Sequence, residues 1–191
     1  MNMKPFCKLS LTQLLTLAGT FPAFAADTVA TLASLVVPDG QGTTVWAMGV
    51  RVTIKLFGKD SGGAYAVFED MVPPGVGTPL HVHTRENEFC HMLEGELTWT
   101  VGNETRTARV GDFVNIPRGT AHRFLNHTDK PARMLLGYAP AGFENWFLEL
   151  GRKPEEVGAT PPWAAPEEIR RAVELAHGYG VEFIRPPAGG N

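Results

Sequence analysis

Two short stretches of the sequence concentrate side chains that can bind a metal. In the first, His81 and His83 are two residues apart, so on a β-strand both imidazoles leave the same face. Glu88 follows after a polar break of four residues, where the chain can turn and return a carboxylate to the histidines. In the second, residues 117–119 (Pro-Arg-Gly) predict a turn, and His122 begins the next strand. Three imidazoles and one carboxylate inside a barrel would form a metal site with room for water or substrate. Without a metal, these buried polar groups would need other partners.

The composition predicts a small β-rich domain as the scaffold for these side chains. The chain has 191 residues, of which 43% are apolar and 19% charged, which fits one globular domain and argues against a disordered or fibrous protein. Its 21 glycines and 15 prolines predict frequent turns, and these favour short strands over long helices. The formal net charge of −3 argues against a nucleic-acid partner. No stretch reaches the roughly 18 apolar residues of a membrane span.

Short apolar or β-branched runs alternate with turn residues through the middle of the chain. They predict strands over residues 50–57, 64–71, 81–83, 88–93, 97–101, 113–116, 123–125 and 132–138. Residues 94–96 (Glu-Gly-Glu) are interpreted as the turn of a hairpin between the fourth and fifth of these strands. Strands at this spacing favour an all-β sandwich or barrel over a parallel α/β sheet. Beyond Gly142 the spacing becomes helical, over residues 143–150 and 166–177.

The N-terminal 25 residues have the layout of a secretory signal. Lys4 and Lys8 precede a mostly apolar run over residues 9–24, which ends in a small-x-small pattern at residues 23–25. The alternative is an N-terminal helix packed on the domain. The signal predicts a protein exported to the periplasm or secreted, with no membrane association after cleavage. Cys90 is then the only cysteine of the mature chain, which excludes an intramolecular disulfide. The predicted organisation is a signal at 1–25, an arm at 26–43, a barrel at 44–142 and a helical tail at 143–191.

The candidate ligands lie in a framework of glycines and prolines. The first stretch is Gly75-x5-His81-x-His83-x4-Glu88-x6-Gly95, and the second is Gly111-x5-Pro117-x-Gly119-x2-His122-x3-Asn126. This pair resembles both motifs of the cupin superfamily, with the 15-residue spacer typical of microbial single-domain cupins. The resemblance implies a double-stranded β-helix, or jelly-roll barrel, with a short C-terminal helical tail, often assembled as a homodimer. It also implies one divalent metal (Fe, Mn, Ni or Cu, with Zn able to use the same ligands) bound by His81, His83, Glu88 and His122.

The flanking sequence narrows the resemblance further. Residues 49–83 and 138–144 resemble a bacterial cupin subgroup labelled quercetin-dioxygenase-like. This likeness implies a metal-dependent dioxygenase that uses O2 on a small aromatic or enolic substrate, either flavonol-like or diketone-like, with Glu88 as the catalytic base. Because related sites support many reactions, two alternatives stay open. One is a non-redox isomerase or lyase, and the other is a small-molecule-binding cupin without turnover.

Several neighbouring residues have structural interpretations. Cys90 is in phase with Glu88 and is expected to pack inside the barrel, and Phe124 shares a face with His122 and is expected to form a pocket wall. Asn126 is expected to bond a nearby backbone group. The charged pair at residues 85–86 lies in the loop between the candidate ligands and is expected to be exposed, and the alternative is that it guards the mouth of a pocket.

The predicted helix over residues 143–150 carries an apolar stripe that must pack against something. Its four members are three or four residues apart: Phe143, Trp146, Phe147 and Leu150. We expect this stripe to close one end of the barrel or to join a dimer interface.

Overall fold

Strands dominate the computed structural model, which describes residues 32, 34–157 and 166–184. The strands are β1 (Thr43–Ala47), β2 (Val50–Leu56), β3 (Ala66–Val72), β4 (His81–His83), β5 (Asn87–Glu94), β6 (Glu96–Val101), β7 (Glu104–Arg109), β8 (Phe113–Ile116), β9 (His122–Leu125), β10 (Ala132–Ala139) and β11 (Val181–Phe183). The helices are α1 (Glu144–Leu150), α2 (Pro154–Val157) and α3 (Pro166–Ala176). Two short 3-10 helices lie at Gly58–Ser61 and His177–Tyr179.

The strands form two antiparallel sheets. One has six strands in the order β1-β2-β3-β10-β5-β8, and the other has five in the order β11-β4-β9-β6-β7. Every paired strand runs antiparallel to its neighbour, and consecutive strands often lie in different sheets. This jelly-roll arrangement confirms the predicted all-β fold with a short helical segment after it.

The core follows the two-residue period of the strands. In β3 the burial alternates, so that Phe68 and Val72 point inward between partly exposed neighbours. Its partner β10 adds Met134 and Leu136 to the same interior. The inward faces of β3 and β10 in the six-stranded sheet are therefore mostly apolar, and a buried polar side chain there is an exception.

The predicted hairpin at residues 94–96 is wrong. Strand β5 pairs with β10 and β8 in the six-stranded sheet, whereas β6 pairs with β9 and β7 in the other. Gly95 takes a φ of +68°, and a Cβ there would lie 3.0 Å from the Ala132 Cα atom, so the chain turns this corner tightly against the start of β10. The hairpin is instead β6–β7, where Val101 pairs with Glu104 across residues 102–103 (Gly-Asn). That dipeptide is common in two-residue hairpin turns, so the sequence contained a pattern that predicts this hairpin.

The segment after the barrel contains both predicted helices and one strand that was not predicted. Strand β11 pairs with β4, so that Val181 lies opposite His83 and Phe183 lies opposite His81. Three residues are too few to show a strand period in the sequence, and the hydrogen bonds that define this strand come from a distant part of the chain.

The predicted signal over residues 1–25 lies outside the described residues, and of the predicted arm at 26–43 the structure describes residue 32 and residues 34–43. Among the described residues, no helix has the length and apolar character needed to cross a membrane.

Candidate metal centre

The four predicted ligands come together from both sheets. Strand β4 carries His81 and His83, and strand β9 beside it carries His122, which lies directly opposite His81. Glu88 comes from β5 in the other sheet. One ligand atom from each residue lies within 4.8 Å of the other three. All four side chains are buried, with exposed fractions between 1% for His122 and 8% for His81. They form a compact buried cluster of three imidazoles and one carboxylate that could bind a metal ion.

Backbone carbonyls orient two of the three imidazoles. The His81 Nδ1 atom lies 2.8 Å from the Pro79 carbonyl oxygen, and the His122 Nδ1 atom lies 2.9 Å from the Thr120 carbonyl oxygen. A carbonyl can only accept, so each Nδ1 carries the proton and donates it. The Nε2 atoms are then the ligand atoms. A histidine whose other ring nitrogen is held in this way is a typical metal ligand.

The third imidazole, that of His83, has one carboxylate near each of its two ring nitrogens. The His83 Nε2 atom lies 3.4 Å from the Glu88 Oε2 atom, and the His83 Nδ1 atom lies 3.5 Å from the Glu86 Oε2 atom. At these lengths hydrogen-bond geometry is not met, and both nitrogens of His83 are buried without a partner. Glu86 is itself only 4% exposed, so the expectation of an exposed charge pair at residues 85–86 is wrong for this residue. Arg85 is exposed, and its guanidinium donates to the Gly178 carbonyl.

Burial and neighbouring charges shift the pKa values of three cluster residues, so that His81 is neutral while Glu88 and His122 favour their charged forms. Burial, followed by the neighbouring His122, lowers the pKa of His81 from 6.5 to about 3. Burial opposes ionisation of Glu88, but the hydrogen bond and charge of His122 outweigh it and lower the pKa of Glu88. Burial also opposes the charge on His122, but the hydrogen bond to Glu88 raises its pKa. The His122 Nε2 atom donates to the Glu88 Oε2 atom over 2.9 Å. That proton is the positive charge that a metal cation would replace.

The cluster lies in the wall of a small, mostly apolar cavity. The volume of this cavity is about 50 Å³. Apolar lining comes from both sheets, α1 and β11, and includes Val52, Phe124, Leu136, Phe143, Trp146 and Val181. The ring of Phe143 meets the ring of His83 edge-on, with the centroids 4.6 Å apart. The apolar stripe that begins at Phe143 and continues into α1 therefore packs against the cluster, which is consistent with the expected closure of one barrel end.

One polar residue of the cavity was missed by the sequence analysis. Asp70 lies on the inward face of β3 and lines the cavity together with the cluster. Burial, followed by the charges of Glu88 and Glu69, raises the pKa of Asp70 well above its usual value. The sequence pattern could have predicted this position, because Asp70 falls two residues from both Phe68 and Val72 and so shares their inward strand face.

The structural interpretations of the other motif residues are confirmed. The Cys90 thiol is buried and donates to the Met134 sulfur over 3.3 Å. The Asn126 amide nitrogen donates to the carbonyls of Val72 and Lys130, at 3.0 Å and 2.8 Å. These residues support the barrel and contribute no ligand to the cluster.

Comparisons with known proteins agree with this architecture. Residues 68–138 match the family described as Cupin domain. The chain is 27% identical to quercetin 2,3-dioxygenase of Bacillus subtilis over 134 residues, which cover 69% of this chain and 39% of that protein. It is 35% identical to an uncharacterized protein of Methanocaldococcus jannaschii over 78 residues, which cover 40% of this chain and 62% of that protein. The matched parts therefore span about two fifths and three fifths of these relatives.

Solved structures with low sequence identity share the fold. A predicted oxalate decarboxylase from Thermotoga maritima aligns with a TM-score of 0.51 and 21% identity, over 56% of this chain and 99% of that one. KdgF from a Halomonas species aligns with a TM-score of 0.53 and 13% identity, over 59% of this chain and 99% of that one. Residues 68–138 therefore match the Cupin domain family, and the two solved structures share the fold of this chain.

Proposed function

We propose that this protein is a metal-dependent dioxygenase that acts on a small enolic or aromatic substrate. The observation that carries the proposal is the convergence of four buried candidate ligand atoms within 4.8 Å of one another at the wall of a mostly apolar cavity. The similarity to a quercetin 2,3-dioxygenase over 69% of the chain supports the reaction class.

The residues present fit a divalent metal. His81 and His122 have their Nδ1 atoms held by carbonyls, and His83 has two buried nitrogens without a hydrogen-bond partner. Three imidazoles and one carboxylate suit Fe(II), Mn(II), Ni(II) and Cu(II), and Zn(II) accepts the same ligands. When bound, such a metal would supply a Lewis acid that polarises substrate oxygen atoms and could bind O2.

Glu88 is the group that we propose as the catalytic base. Its Oε2 atom faces the interior of the cluster and accepts the hydrogen bond from His122. Because the pKa of Glu88 is lowered, the carboxylate is a weak base. Substrates with an acidic enol or hydroxyl are therefore the class that it can deprotonate. The walls around it are mostly apolar, which limits the number of water molecules that can return a proton to the deprotonated substrate.

The size of the cavity limits the size of the substrate that it can hold. About 50 Å³ is small beside the several hundred cubic ångströms of a typical ligand pocket. A diketone-like enol with few heavy atoms suits this space better than a three-ring flavonol. We therefore propose a small diketone-like enol as the preferred substrate.

The experiment begins with metal loading and ends with oxygen uptake. Chelator-treated protein is loaded under nitrogen with each candidate metal, the metal per chain is quantified, and uptake is recorded with acetylacetone and with quercetin. The His122→Ala variant removes a cluster ligand, and His127→Ala is the matched control because His127 is exposed. Metal-dependent uptake in the wild type and in His127→Ala, lost in His122→Ala, is the expected result.

Other outcomes identify the alternatives. Product formation without oxygen would indicate a non-redox isomerase or lyase, and binding without turnover would indicate a binding cupin. Full metal occupancy in His122→Ala would contradict the ligand assignment itself.

We also propose that the chain is exported after cleavage following residue 25, and that it forms a homodimer. The mass of the chain recovered from the periplasm, and its mass in solution by light scattering, test these two points. An intact N-terminus would contradict the first, and a monomer would contradict the second.

A further inference from the structure

Asp70 is a buried carboxyl group beside the metal-binding cluster that the cluster does not use. It lies on the inward face of β3 between Phe68 and Val72, both fully buried, and it is only 3% exposed. Its neighbours in the adjoining strands are Val52 in β2 and Met134 in β10. An apolar side chain at this position would complete the core, so the carboxyl group is not explained by packing.

One oxygen atom of the carboxyl group also lacks a partner within the described residues. The Asp70 Oδ1 atom is buried and makes no hydrogen bond within the described residues. No described lysine or arginine lines the cavity, so no cation is placed to pair with it. The indole Nε1 atom of Trp146, another residue of the lining, is likewise buried without a partner. Buried polar groups are nearly always hydrogen-bonded, and two unpaired groups in the cavity lining outside the cluster indicate that the occupant of the cavity supplies the partners.

We propose that Asp70 determines the substrate specificity of this site by accepting a hydrogen bond from a hydroxyl group of the ligand. The inference rests on the proposed function, since the other oxygen atoms of the same ligand bind the metal. The cavity would then take a compact chelating compound with an extra hydroxyl group that points to β3. A compound of the same shape with a methyl group in that place would leave Asp70 unpaired and would bind less tightly.

Two isosteric hydroxamates test this assignment. Glycolohydroxamate and propionohydroxamate chelate a metal through the same two oxygen atoms and differ only by a hydroxyl or a methyl group at the far end. Their dissociation constants are measured on the Co(II)-loaded protein from its visible absorption. We expect the wild type to bind glycolohydroxamate about tenfold more tightly, the change that one good buried hydrogen bond produces.

Substitutions of Asp70 distinguish recognition of the ligand hydroxyl group from a purely structural role of this residue. In Asp70→Leu we expect the tenfold preference to disappear, while affinity for propionohydroxamate and the metal content stay at wild-type values. Removal of an unpaired buried carboxyl group should also raise the midpoint of thermal unfolding, whereas loss of a structural residue would lower it. Asp70→Asn keeps an acceptor oxygen and should retain most of the preference. Glu69→Leu is the matched control, because Glu69 is the adjacent residue on β3 and is not part of the cavity lining.

The outcomes distinguish this inference from the proposed function. If the wild type binds both hydroxamates with equal affinity, the metal site stands and the assignment of Asp70 is overturned. If neither hydroxamate changes the cobalt spectrum, the proposed metal site fails, and the inference fails with it. If Asp70→Leu does not fold, Asp70→Val makes the same comparison with a side chain suited to a strand.

Discussion

Glu86 should hold His83 in its ligand orientation, although it touches no metal itself. The Glu86 Oε2 atom lies 3.5 Å from the His83 Nδ1 atom, and both atoms are buried and make no hydrogen bond within the described residues, so each is the nearest available polar neighbour of the other. The perturbation is a pair of substitutions, Glu86→Gln and Glu86→Leu. Glutamine keeps a hydrogen-bond acceptor of the same size but removes the charge, whereas leucine removes both and keeps the bulk.

The expected magnitude follows from the burial of the pair. Glu86 and His83 are 4% and 2% exposed, so solvent does not replace the lost partner. Loss of a group that orients a metal-binding histidine typically weakens metal binding by about 10-fold to 100-fold. We expect Glu86→Gln near the lower end of this range and Glu86→Leu near the upper end, which corresponds to about 1.4 and 2.7 kcal/mol.

The assay is competition for Zn(II) or Co(II) against a coloured chelator at pH 7. Circular dichroism of each variant establishes that the fold is kept, and Glu94→Leu is the matched control because the Glu94 side chain is 64% exposed at the end of the same strand that carries Glu88. Metal affinity of Glu86→Leu within about threefold of the wild type, with Glu94→Leu unchanged, would refute the role assigned to Glu86.

Three further predictions concern the cluster and its supports. His83→Ala should abolish stoichiometric metal while circular dichroism stays native, and one metal per chain in this variant would contradict its role as a ligand. Asn126→Ala removes a fully buried amide that donates to Val72 and should lower the free energy of unfolding in urea by roughly 3 kcal/mol; the exposed Asn115→Ala is the control. The pKa of His81 falls from 6.5 to about 3 on folding, so only the unfolded chain binds this proton between those values. Protonation of His81 in the unfolded chain therefore lowers the free energy of unfolding as the pH falls from 6.5 toward 3. Above pH 6.5 His81 is neutral in both states and this loss is absent. The chelator-treated wild type should therefore lose about 1.4 kcal/mol per pH unit more than His81→Gln over this range, and equal slopes in urea unfolding would contradict the shift.

Local patterns were enough to predict the four residues that cluster in the barrel and the type of fold. His81 and His83 share a strand face because the strand period is two residues, and the same period places Cys90 and Phe124 inward. The stripe of α1 was equally visible, since it depends only on helical spacing. Turn residues at regular intervals predicted short antiparallel strands, because glycine and proline act on the backbone where they stand.

The sequence by itself therefore determined most of the elements, the candidate ligand residues and the all-β class, since each depends on neighbours a few residues away. Only the tertiary structure decided which strands share a sheet, so the corner at Gly95 could not be distinguished from a hairpin turn. It also decided the burial of Glu86 and the pairing of β11 with the strand that carries His83. The unpaired state of Asp70 depends on which side chains surround it across both sheets. Burial and partnership are properties of residues far apart in the chain, and no local period specifies them.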